Sequence, residues 1–116
     1  MDPYERFEAW QRAHELAVAV HCATRTWPPN ERFGLVAQVR RAAFSVAANI
    51  VEGRARRGPK EFRRFLDIAW ASLAEVGYAL RYAHDVDYLT SEAHAELEQA
   101  RAKAGRSLYA LLRTMA

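Results

Sequence analysis

The sequence predicts an all-α protein, an antiparallel up-down-up-down four-helix bundle in a single domain spanning residues 1–116. Three observations carry that expectation. Hydrophobic residues make up 51% of the chain while glycine and proline number only 5 and 4, a balance that favours helices around one core over sheet or disorder. Apolar residues recur three or four apart through four long stretches, the period of one helix face. The strongest breakers, Pro28-Pro29, Gly58-Pro59 and the run DVDYLTS at 85–91, fall between those stretches. A chain of 116 residues can enclose one core and no second.

The first helix is expected over about 5–26, ended by Pro28 and Pro29, because proline lacks an amide donor and moves its predecessor out of helical angles. Asn30 is a candidate cap for a second helix over 31–57, with Gly53 and Gly58 as alternative stops. Its core stripe is Val36, Val39, Ala43, Val46 and Ile50. Proline suits a first helical turn, so a third helix is expected over 59–84. Phe62, Phe65, Leu66, Ala69, Leu73, Val76, Leu80 and Ala83 mark its buried face. Thr90 or Ser91 caps a fourth helix over 91–114, carried by Leu97, Ala100, Ala104, Leu108, Leu111 and Met115. Short links between consecutive helices imply the alternating up-down order.

Helices two and three are apolar beyond one face. Phe44 and Val51 on the second and Trp70, Tyr78 and Tyr82 on the third fall off the core stripes at about 100° per residue. A helix apolar on two sides is buried on two sides, which in a small bundle calls for a partner subunit. These five residues are the expected subunit contacts. The polar residues of helix two are also ordered, with Arg41, Ser45, Asn49 and Glu52 falling within about 80° of one another. On helix three Ser72 and Glu75 stand one turn apart. The six form either a solvated stripe or a structural polar network, bridging the hairpin or a subunit boundary.

Net charge is +3, with its excess concentrated in one segment. Between positions 54 and 64, six cations (Arg54, Arg56, Arg57, Lys60, Arg63 and Arg64) face one anion, Glu61, a local balance of +5. Guanidinium groups pair bidentately with phosphate and stack on bases, so this turn is a candidate contact for RNA or DNA. The competing reading is a solvated helix end in a chain that uses 15 arginines against 2 lysines. Cations at the start of the third helix oppose its dipole, which favours a purpose other than helix stability.

Chemistry finds no support elsewhere. Glycine-rich phosphate loops, nucleophile elbows and acid pairs in apolar settings are absent from the sequence, so no enzyme and no cofactor is expected. His14, His21, His84 and His94 do not recur at a zinc-binding spacing. Cys22 has no activating base beyond its neighbour His21, which points elsewhere on the helix, so it reads as a buried small hydrophobe. One cysteine, the start MDPYERFEAW and the lack of a charge-free window of about 18 residues together suggest a cytoplasmic chain that leaves membranes alone.

The runs FEAWQRAHELAVAV, ERFGLVAQVRRAAFSVAANIVEG and EFRRFLDIAWASLAEV, with a closing leucine-rich helix, resemble a bacterial four-helix-bundle family. That family includes proteins encoded by intervening sequences within 23S ribosomal RNA genes. The pattern RRAAxSxxANIxEG followed by FxxFLxIAxxSLAE is long and specific. Departures are Ala47, where the family often has proline, and Trp70, where it often has glycine. The resemblance implies a homopentamer of four-helix protomers around a central axis. It also implies the fold of the accessory protein of diversity-generating retroelements, a basic pentamer that associates with a reverse transcriptase and nucleic acid. Two functions follow as expectations: a non-catalytic pentameric accessory protein that binds nucleic acid through the turn between helices two and three, or a scaffold displaying several copies of a protein-binding site.

Overall fold

Four α-helices carry the fold: α1 over Glu8–Ala23, α2 over Leu35–Ala55, α3 over Pro59–Asp85 and α4 over Ser91–Arg113. Short 3-10 turns at Pro3–Arg6, Thr24–Thr26 and Pro29–Glu31 complete the secondary structure of this computed structural model, which describes residues 2–115. Both α1 and α3 pack on α2 and on α4, so the helices stand at the corners of a square with alternating directions. Its extents of 43 × 25 × 24 Å match the length of α3 standing in a bundle two helices wide.

The core follows the expected stripes. Leu16 and Val20 of α1, Val39, Val46 and Ile50 of α2, Leu66, Val76 and Leu80 of α3, and Leu108 of α4 are fully buried. Phe62, Ala100, Leu111 and Met115 pack at its margin, half-buried. Alanines at 42, 43, 47, 69, 79 and 83 fill the space between α2 and α3, letting this pair make the most extensive contact in the bundle. α2 passes through Ala47 without interruption, as expected of a residue that keeps its amide donor.

Helix ends depart from expectation where local hydrogen bonding decides them. α1 is shorter than 5–26 because both its flanks tighten into 3-10 turns. Asn30 is not the cap of α2: it lies inside a 3-10 turn begun by Pro29, and Gly34 takes the N-cap position. The carboxylate of Glu31 accepts the Leu35 amide at 3.3 Å in place of a cap side chain. α2 stops at Ala55 rather than 57, with Arg56 already extended. Gly53 does not end it. Gly53 is buried within the helix, where a Cβ would sit 2.7 Å from the Cβ of Phe65. The reversal belongs to Gly58, whose φ of 82° places it where side chains are strained. α3 ends at Asp85, and the chain turns away at Asp87, also at positive φ, with the Tyr88 amide donating back to the Ala83 carbonyl at 2.8 Å. Thr90, not Ser91, caps α4, its hydroxyl accepting the Ala93 amide at 3.1 Å.

Aromatic side chains brace the two ends of the square. At one end Trp27, from the α1–α2 link, lies 5.9 Å from Tyr88, whose hydroxyl donates to Glu31 at 2.8 Å. At the other, Phe7 stacks on Phe62 at 5.7 Å and ties the start of α1 to the start of α3. The tight α2–α3 turn sits on this second end.

Candidate nucleic-acid interface

The α2–α3 turn presents its six cations in two groups. Arg56 and Arg64 lie against the ring of Phe65, their guanidinium carbons 5.2 and 4.5 Å from its centroid. Arg56 also reaches Glu52 at 2.9 Å, and Arg64 donates to both oxygens of Glu61 at 3.0 and 3.4 Å. That bond from Arg64 holds the Glu61 carboxyl below the usual carboxylate range, with desolvation opposing it, and Glu61 in turn raises Arg64. Arg63 approaches Asp67 at 3.5 Å. Among the described residues, Arg54, Arg57 and Lys60 make no ion pair, and all three are exposed.

Folding therefore lowers the charge that the sequence suggested. Glu52 and Asp67 lie outside the 54–64 window but fold onto its arginines, so the balance over 52–67 is +3. Their spacing four residues from Arg56 and Arg63 was the signal that a fixed window overlooked. Arg54 also borders a shallow cleft of about 300 Å³ beside Gly58, Pro59, Phe62 and Met115. Exposed cations on a turn locked at both flanks can grip phosphate oxygens without reordering the backbone.

The expected polar network forms only in part. Ser45 and Ser72 hydroxyls meet at 2.9 Å across the α2–α3 contact, and the Asn49 amide donates to the Ser45 carbonyl at 2.8 Å and its hydroxyl at 2.9 Å. Glu52 turns instead to Arg56. Arg41 and Glu75 are exposed and join no bond of this network within the protomer.

The five residues expected at subunit contacts all reach the surface to some degree. Phe44 is 70% exposed and Val51 half-buried, beside Trp10, Ala17 and Ala48 in a groove between α1 and α2. Tyr78 is 70% exposed, and Trp70 and Tyr82 are somewhat under half exposed on α3. Tyr109 of α4, which no stripe singled out, lies 6.1 Å from Trp70 and extends that surface. Its position off the α4 core stripe was legible but unremarkable in isolation.

A family model described as 23S rRNA-intervening sequence protein matches residues 5–110, nearly the whole bundle. The chain belongs to that family. A crystal structure of a protein of unknown function from the S23 ribosomal protein family of Bacteroides thetaiotaomicron shares the fold, with a TM-score of 0.81 at 22% identity. That likeness covers 90% of this chain and 95% of the Bacteroides chain. No curated protein matches the sequence. Within this chain, no group of three or more histidine, cysteine or acidic residues among those described could hold a metal ion. His14 stacks on Trp10 at 5.0 Å, and His84 on His94 at 4.7 Å, whereas Cys22, expected to be buried, is exposed on α1. Among the described residues no helix is long and apolar enough to cross a membrane.

Proposed function

We propose that this protein is a non-catalytic, ring-forming accessory protein, a homopentamer that binds RNA or DNA through its α2–α3 turn. The observation that carries the reading is the cluster of Arg54, Arg57 and Lys60, exposed and without ion pairs among the described residues, on a turn fixed by Gly58 and by the arginine–Phe65 stack. Phosphate contacts of this kind bind backbone and read no sequence.

Self-association is supported by the placement of the open aromatic surface. Phe44 lies on the α1–α2 side and Tyr78 on the α2–α3 side, so each protomer offers two different faces. Different faces make heterologous contacts, which close into a ring when the rotation between them divides a circle. Neighbouring sides of a square bundle stand about 90° apart, and rings of four to six copies need about 90–120°. A small closed ring of four or five copies fits that angle, and the five-membered ring proposed repeats the basic turn around one rim.

Recovery of the tagged protein from cells, with and without nuclease, tests the function. RNA or DNA should accompany the wild type and be lost from a variant carrying Arg54→Gln, Arg57→Gln and Lys60→Gln. A stoichiometric protein partner that survives nuclease, with no nucleic acid bound to the wild type, would instead establish the multivalent scaffold.

A further inference from the structure

A pocket of about 300 Å³ opens between α2 and α3, lined by Glu31, Gln38, Glu75, Tyr78 and Tyr82 over a floor that includes Leu35 and Ala79. Its lining contains two carboxylates and two phenols and no cation. Glu31 is already committed, one oxygen to the Tyr88 hydroxyl and the other to the Leu35 amide. Glu75 makes no ion pair among the described residues, and the rings of Tyr78 and Tyr82 stand 6.4 Å apart on the helix beside it. One available carboxylate flanked by two electron-rich rings is the chemistry that recognises a guanidinium.

The register of the hairpin identifies the arginine that could fill it. Ser45 and Ser72 touch, so the two positions lie at one level of the bundle. α2 and α3 run antiparallel, which puts Ala42 level with Glu75 and Phe44 level with Leu73. Arg41 therefore stands about 1.5 Å along the axis from the level of Glu75. Arg41 is exposed and makes no ion pair among the described residues, and it lies on the outward ridge of α2 with Phe44. Within one protomer the two groups do not meet. Rotation about a ring axis parallel to the bundle leaves heights unchanged, so it brings Arg41 of one copy to the level of Glu75 in the next.

We propose that Arg41 of each copy enters the α2–α3 pocket of its neighbour and binds Glu75 between Tyr78 and Tyr82. The inference rests on the self-assembly reading above and specifies its contact: the pocket is complete only when a second copy supplies the cation. Phe44, one turn along the same ridge, then covers the exposed Ala71 and Ala74 of that neighbour. The pair also sets the register of the ring, because a slip of one helical turn would leave both charges unmatched.

Sedimentation velocity at micromolar concentration tests the contact through a charge-swap cycle. Arg41→Glu and Glu75→Arg should each weaken assembly by about tenfold or more, and the double variant R41E/E75R should recover most of it. Single variants that assemble like the wild type, or a double variant as weak as the singles, overturn the pairing while self-assembly stands. A wild type that sediments at 13.2 kDa overturns self-assembly and the pairing with it. Helical circular dichroism accompanies each variant, and any that loses its helix signal is replaced by Arg41→Gln or Glu75→Gln, for which the same weakening is expected.

Discussion

Gly53 shows how one residue can be read correctly in type and wrongly in role. Late in a helix, followed by arginines, a glycine resembles a stop; here it sits where α2 packs closely on Phe62 and Phe65 of α3. Gly53→Ala gains about 1 kcal/mol of helix propensity. Against that, the new Cβ meets the Cβ of Phe65 at 2.7 Å, an atom that cannot swing aside, and overpacking costs about 1–3 kcal/mol. A net loss of stability is expected, seen as a lower urea midpoint, and a larger loss for Gly53→Leu. Tyr88 gives a pH signature. Its hydrogen bond to Glu31, then burial, raises its phenol above the usual range. A raised folded-state value means that the contribution is complete below the usual phenol range and is lost as pH rises through the raised one. The wild type should therefore melt above Tyr88→Phe at neutral pH, with the difference vanishing in strong alkali. The Glu31 contact joins residues 57 positions apart, and no local pattern announces it.

Elements were legible in number and order because four apolar stripes and three breaker clusters are local signals. Their ends were less so. Asn30 has the side chain of a cap, but the fixed φ of Pro29 draws it into a 3-10 turn, and Glu31 then serves the first amide of α2 from outside the helix. At α4 two adjacent hydroxyls competed, and only backbone geometry separates them: Thr90 is extended and accepts a helix amide, whereas Ser91 is already helical. Thr90→Ala should cost about 1 kcal/mol, measured by thermal or urea unfolding, whereas Ser91→Ala should change little. The basic turn shows the same limit from the charge side. Composition places six cations at one end, and the fold divides them into three that are paired and three that are unpaired among the described residues.

At the scale of the molecule, the core was readable because burial follows periodicity, and the surplus aromatic residues were readable because they break it. How two such faces would meet in the proposed ring was not, since it depends on the angle between sides of the square and on the level set by Ser45 and Ser72. The proposed ring would multiply a modest cationic turn into a rim, which makes the proposed binding electrostatic and collective. The most direct test of that claim is a titration of labelled single-stranded RNA with the wild-type protein at several salt concentrations. Each phosphate released from its counterion contributes about −0.7 to the slope of log affinity against log salt. Arg54, Arg57 and Lys60 of a single protomer thus predict a slope of about −2, steeper where several protomers engage one strand. An affinity that does not change between about 50 and 200 mM salt, or no binding at the lower concentration, would contradict the account.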